Sequence, residues 1–182
     1  MTIEHRPPPN YPRVEFGRRI MAFGIDFLIV WSVSSLLGTS ALGIQFLQIL
    51  VFAIAWLVLR VVVVYNNQGQ SLGQYALDLR VLEVERGKVP DLQALLKRET
   101  IIGLGALLLA IALSNIIRNP TAILLILPLA IDCGTAAASD SQMRQALHDR
   151  YAKTIIVSTS RGYSLDIKVK RILETLQRNV RR

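Results

Sequence analysis

Three ionisable residues stand inside long apolar runs of this chain: Asp26, Arg60 and Asp132. A charged side chain near the middle of a membrane helix costs about 2.5–3.5 kcal/mol on an insertion scale, so such groups turn toward protein or water and find partners. Asp26 comes seven residues after Arg19, roughly 10 Å along its run. Arg60 stands five residues before Tyr65, roughly 7–8 Å deep, and Asp132 six before Ala138, roughly 9 Å deep. Three groups on three runs share one depth, and they are expected to meet. Two carboxylates against one arginine leave one negative charge or hold one proton between them, which is the chemistry of a proton-coupled or cation-binding site. The same cluster could instead be an interhelical lock that fixes packing and moves nothing. Arg60 alone could also snorkel to the headgroups, with Trp56 stacked one turn beneath it.

The runs that carry these charges read as membrane spans. A hydrophobic share of 52% and a mean hydropathy of +0.39 are high for a soluble domain. Spans of near the 20 residues that cross a bilayer fall at about 19–37, 44–65, 101–117 and 121–138. The β-branched residues 61–64 favour a strand by propensity, but an open strand leaves its backbone unsatisfied in lipid, so helix is expected. Gly103, Gly105 and Ala106 would let neighbouring helices approach closely. The expected fold is an all-α membrane protein of four transmembrane helices.

A small cytosolic cap should join the spans, with short helices and strands 79–84 and 154–158 that could pair. Within the connection 66–100, Ser71 and Gln74 have capping-box spacing, and Pro90-Asp91 opens a helix that could run into the third span. Residues 139–153 read as a polar helix capped by Ser139, Asp140 or Ser141, on which His148-Asp149 could be a proton-active pair but is more simply read as exposed. The chain thus divides into a Pro-rich arm (1–16), a membrane domain (17–158) and a basic amphipathic tail (159–182) that could lie on anionic lipid.

Of 21 Lys and Arg, all but Arg60 and Arg118 lie with the termini and the long connection, which places both termini in the cytosol. The net charge of +8 comes without a nucleic-acid motif and suits anionic headgroups. One cysteine, Cys133, and two histidines, His5 and His148, give no disulfide and no zinc pattern. No cleavable leader is expected. No phosphate loop, nucleophile elbow or zinc-protease motif occurs, so neither an enzyme nor a cofactor is expected.

Several segments together resemble the RDD family of small membrane proteins. They are Arg19-Ile-Met-Ala22-Phe-Gly-Ile-Asp26, then Gly69-Gln-Ser-Leu-Gly73 with Leu79-Arg80-Val81, then Leu147-His148-Asp149-Arg-Tyr-Ala152-Lys-Thr154. Their order and spacing carry the likeness, over about residues 13 to 158. The resemblance implies that Arg19, Asp26 and Asp149 are the signature residues. It also implies transport of ligands not yet identified, with sodium/proton antiport in some members. Gln74, Asp78 and Lys153 stand where the family commonly has Lys, Gly and Gly, and four spans exceed the family's minimal two.

Two functions follow as expectations. One is translocation of an ion or small solute by a homo-oligomer, with Asp26, Asp132 and Arg60 inside and Arg19 and Asp149 at the cytosolic mouth. The other is an accessory or assembly subunit of a larger membrane complex. Either would sit in the plasma (inner) membrane or another energy-converting membrane.

Overall fold

A computed structural model describes residues 14–36, 46–138 and 145–159. Most of the expected arm, the turn after the first span, the caps at Ser139, Asp140 and Ser141, and the tail from residue 160 lie outside the described residues. Four long helices carry the structure: α1 (Phe16–Ser35), α2 (Phe46–Asn66), α4 (Leu92–Asn115) and α5 (Pro120–Ala138). Between them lie the short helices α3 (Leu72–Ala76) and α6 (Leu147–Tyr151) and the strands β1 (Leu79–Glu83) and β2 (Thr154–Ser158).

Local chemistry explains most of these boundaries. Ser71 and Gln74 close a full capping box on α3: Gln74 N–H donates to Ser71 Oγ, and Ser71 N–H donates to Gln74 Oε1. Proline at N1 opens α5, whose first turns are 3-10 (Pro120–Ile126) before it relaxes to α (Leu127–Ala138). The helix begun after Asp91 runs without a break through the expected third span, so α4 starts well before residue 101. Around Arg60, α2 widens into a π-helical stretch, Val58–Val62. There Leu59, Arg60 and Val61 are all buried, although three successive residues of a regular α-helix cannot share one face.

Two of the helices, α2 and α5, are long and apolar enough to cross a membrane by length and composition. The helices α1, with Arg18, Arg19 and Asp26, and α4, with Lys97, Arg98 and Glu99, fall short of that standard. Many large apolar side chains face outward, among them Leu28, Val33, Leu50, Ile54, Leu104, Ile123 and Leu127.

At one end of the bundle β1 and β2 pair antiparallel, Val81 opposite Ile156. Each strand follows a short helix through one residue in the left-handed region, Asp78 (φ 53°) before β1 and Lys153 (φ 54°) before β2. These are two of the positions where the resemblance led to glycine, and the backbone there has the conformation that glycine adopts most readily. The halves of the chain therefore share one plan: two long helices, a short helix, a left-handed residue, a strand.

Apolar packing forms two clusters. One joins the strands to the near ends of the helices through Ala22, Val61, Val64, Leu79, Val81, Leu95 and Ile156. The other fills the bundle with Phe27, Val30, Phe52, Trp56, Leu59, Ile102, Ala106 and Leu129. Gly103 and Gly105 allow this approach: a Cβ at 103 would meet Trp56 Nε1 at 2.7 Å, and one at 105 the Leu129 Cβ at 3.3 Å.

Gly69 has φ +84°, and a Cβ there would lie 2.4 Å from the Val81 carbonyl oxygen, beside the bond that Val81 N–H donates to Gly69 O. Gly69→Ala is expected to destabilise the protein by about 2 kcal/mol or more, seen as a lower unfolding midpoint in detergent.

Candidate functional site

Between the two apolar clusters lies a layer of charge. Along α1, Asp26 separates Ala22 from Phe27; along α2, Arg60 separates Leu59 from Val61; along α4, Arg98 and Glu99 separate Leu95 from Ile102. All four charged side chains are buried. Buried charges must be paired and hydrogen-bonded, and here they form one connected chain.

Asp26 anchors one end. Its Oδ2 accepts from Arg60 Nη1 at 2.8 Å and from Ser71 Oγ at 2.6 Å, and its Oδ1 accepts the Gly73 N–H at 2.7 Å. The last bond needs glycine: a Cβ at 73 would stand 2.1 Å from the Ala22 carbonyl oxygen. Arg60 continues to Glu99, donating from Nε at 3.1 Å and from Nη2 at 3.3 Å, with its guanidinium 5.6 Å from the Trp56 ring centroid. Glu99 Oε1 also accepts from Arg98 Nη1 at 3.0 Å. Arg98 Nε donates to Asp149 Oδ1 at 2.9 Å, an oxygen that also takes the Thr154 hydroxyl at 3.2 Å.

His148 closes the chain. Its Nε2 lies 3.5 Å from Asp149 Oδ1. Its Nδ1 bonds Asp132 Oδ2 at 2.5 Å, while its backbone N–H donates to Asp132 Oδ1 at 3.0 Å. Asp26 and Asp132 thus each bind a backbone N–H in the first turn of a short helix, at Gly73 of α3 and His148 of α6.

The expected meeting of Asp26, Arg60 and Asp132 therefore needs correction. Asp26 and Arg60 pair directly, but Asp132 turns to His148 and joins them only through Asp149, Arg98 and Glu99. Arg60 does not snorkel; it is 2% exposed and bound at both ends. His148 and Asp149 are buried at 4% and 1%, against the expectation that they lie on a solvated face. Arg18 and Arg19 do more than anchor the helix end: Arg18 Nη2 donates to Leu77 O at 2.7 Å and Arg19 Nη2 to Ile156 O at 3.2 Å. Sequence reasoning missed Glu99 and Arg98, which it placed at the polar start of a helix. A continuous periodicity from 92 to 115 would have carried both into the bundle.

Burial by itself would push the Asp149 carboxyl up, but the charges of His148, Arg98 and Arg19 outweigh it and hold the group below its ordinary value of 3.8. Together Asp26, Glu99, Asp132 and Asp149 supply four negative charges against the three of Arg19, Arg60 and Arg98. The His148 imidazole stands between two of these carboxylates, Asp132 and Asp149. This end of the chain also borders a cavity of about 380 Å³, whose lining includes Arg19, Arg98, His148 and Asp149 with apolar residues of α1, α4 and α5.

Glu99→Gln, which leaves two buried guanidiniums facing one neutral amide, is expected to cost about 3–5 kcal/mol of stability, read as the unfolding midpoint in detergent. A carboxyl held low when folded contributes stability that is present above its ordinary value and lost as pH falls through the folded value. Asp149→Asn should therefore lower the midpoint at pH 7 and flatten its further fall below pH 3.8.

No curated protein and no solved structure matches the chain at a significant level. Residues 13–153 match the RDD family, a stretch that contains every member of the charged chain from Asp26 to Asp149. By that match, the protein belongs to the RDD family.

Proposed function

We propose that this protein translocates an ion or small solute across the plasma (inner) membrane or another energy-converting membrane, with one proton handled at His148. All four long helices cross the bilayer in this reading. At 20 and 24 residues, α1 and α4 reach roughly 30 Å and 36 Å, their charges lie no farther than mid-length from the end near the sheet, and the outward apolar side chains of all four suit lipid. Both termini and the sheet lie on the cytosolic side, where the basic residues collect and can meet anionic headgroups.

The observation that carries the proposal is the position of His148. It sits between Asp132 and Asp149, at a cavity. An imidazole so placed can pass a proton between a carboxylate on α5 and one on α6. Asp26, Arg60 and Glu99 serve as the fixed frame, and Arg19 adds positive charge beside Asp149.

A second reading has its own support. Among the described residues the four helices form an open row, α1 on α2, α2 on α4, α4 on α5, and a partner helix or a second copy could close it. In that case the protein is an accessory or assembly subunit, and the charged chain is a lock. The transport reading calls on an oligomer as well, since four helices are few for alternating access.

Purified protein in liposomes containing a pH-sensitive dye tests the choice. Wild type should pass protons when an ion or solute gradient is imposed, and His148→Gln should lower the flux about a hundredfold, the usual worth of a positioned proton carrier, without unfolding. Absent wild-type flux, together with loss of a co-purifying complex in Asp26→Asn, would favour the accessory role.

A further inference from the structure

The open row leaves a cleft between α1 and α5, backed by α4, and this cleft is the cavity of about 380 Å³. Its walls are apolar, with Phe23 and Phe27 of α1, Ile102 of α4 and Leu129 of α5 among them. At the lower end of the usual ligand-pocket range of about 300–1,000 Å³, it suits one slender apolar chain.

The polar end of the cleft holds an unfinished pair. Arginine and carboxylate commonly close two parallel hydrogen bonds, but Arg98 and Asp149 make one, Nε to Oδ1 at 2.9 Å. Among the described residues, Arg98 Nη2, Asp149 Oδ2 and His148 Nε2 are buried and make no hydrogen bond. These side chains are 1%, 1% and 5% exposed. Each such buried group costs about 1–3 kcal/mol while it stays open. Arg98 Nη2 is a donor and Asp149 Oδ2 an acceptor, and a hydroxyl answers both: its oxygen accepts from Arg98 Nη2 and its hydrogen donates to Asp149 Oδ2, while His148 Nε2 stays beside Asp149 Oδ1 at 3.5 Å. Charge decides against an ionic head. Arg98 and Asp149 carry opposite charges, so an ionic head of either sign would meet like charge on one side of the pair.

We propose that the cleft between α1 and α5 binds a single-chain amphiphile with an uncharged hydroxyl head, the head between Arg98 and Asp149 and the chain along Phe23 and Phe27. A membrane supplies such molecules from the side, so the ligand arrives through lipid rather than water. Binding of this kind goes beyond the transport reading and can hold or fail independently of proton flux.

Trp56 reports on the cleft, because its ring lies 5.8 Å from the Phe23 ring that forms part of the wall. In full-length protein carrying Trp31→Phe, Trp56 is the one tryptophan left of two. A long-chain alcohol brominated at mid-chain should quench it saturably. The matching methyl ether, which accepts but cannot donate, should bind about tenfold more weakly. Gly24 lines the cleft, and a Cβ there would meet nothing within 4 Å. Gly24→Leu should therefore keep the unfolding midpoint and weaken the alcohol about tenfold by crowding the cleft. Equal quenching by alcohol and ether, or quenching indifferent to Gly24→Leu, would mean partition into detergent and a head site filled by water, and would overturn the proposal. So would a dimer in detergent that neither compound quenches, since a second copy would then cover the cleft.

Discussion

Glu99 is the residue on which the buried charges depend. Its carboxylate accepts from Arg60 twice and from Arg98 once, so it joins two guanidiniums that would otherwise repel each other. Removing two ions from water costs several kcal/mol each, and only tight geometry with every lone pair engaged offsets that. Around Glu99 the neighbours supply that geometry, and the open atoms lie farther along, at Arg98, Asp149 and His148. Arg60 reaches Asp26 on α1, Arg98 reaches Asp149 on α6, and the two apolar clusters above and below the layer exclude water from it. One carboxylate on α4 thereby ties α1, α2 and α6 into a single electrostatic unit.

The backbone is shaped to serve that unit. The π-helical stretch of α2 gives Arg60 its burial beside Leu59 and Val61, since a regular helix would turn one of the three to the outside. Gly73 lets α3 press on the Ala22 carbonyl so that its N–H meets Asp26. The first turn of each short helix has unpaired N–H groups, and the structure supplies each with a carboxylate from a long helix, Asp26 for α3 and Asp132 for α6. Secondary structure and charge pairing are solved by the same residues.

Local signals were legible in the sequence because their partners lie nearby in the chain. The Ser71 and Gln74 capping box, the two strands and the helix after Asp91 all appear where spacing and turn chemistry put them. The pairing of Asp26 with Arg60 was legible from depth. Depth gives a level but not a direction around the helix, and for that reason Asp132 was assigned to the wrong partner. The π-helical stretch adds to this, because one widened turn shifts every later residue of α2 around the axis. Glu99 and Arg98 were hidden by their position just after Lys97 in the polar opening turns of α4, where charge ordinarily means solvent. His148 and Asp149 were hidden by the shortness of α6, which is buried by what packs on it rather than by its own pattern. The likeness to the RDD family, by contrast, pointed to Asp149 without explaining it; the explanation is Arg98.

The arrangement also constrains how such a protein could move. Among the described residues, α5 meets α4 through apolar contacts such as Leu129 on Gly105, and its buried charge Asp132 bonds only His148. α6 in turn is held to α4 by Arg98 and Asp149. Any displacement of α5 from the rest must therefore open the contact between Asp132 and His148 or the one between Arg98 and Asp149. If His148 carries a proton, separating the imidazolium from its carboxylate in this interior leaves two uncompensated charges, at a cost of about 3–5 kcal/mol. If the proton first passes from His148 to Asp132, both groups are neutral, and parting them costs hydrogen bonds of about 1 kcal/mol each. Arg98 has no such route, because a guanidinium keeps its proton. The weak joint of the charged chain is consequently the one a proton can loosen, and it lies between α5 and α6.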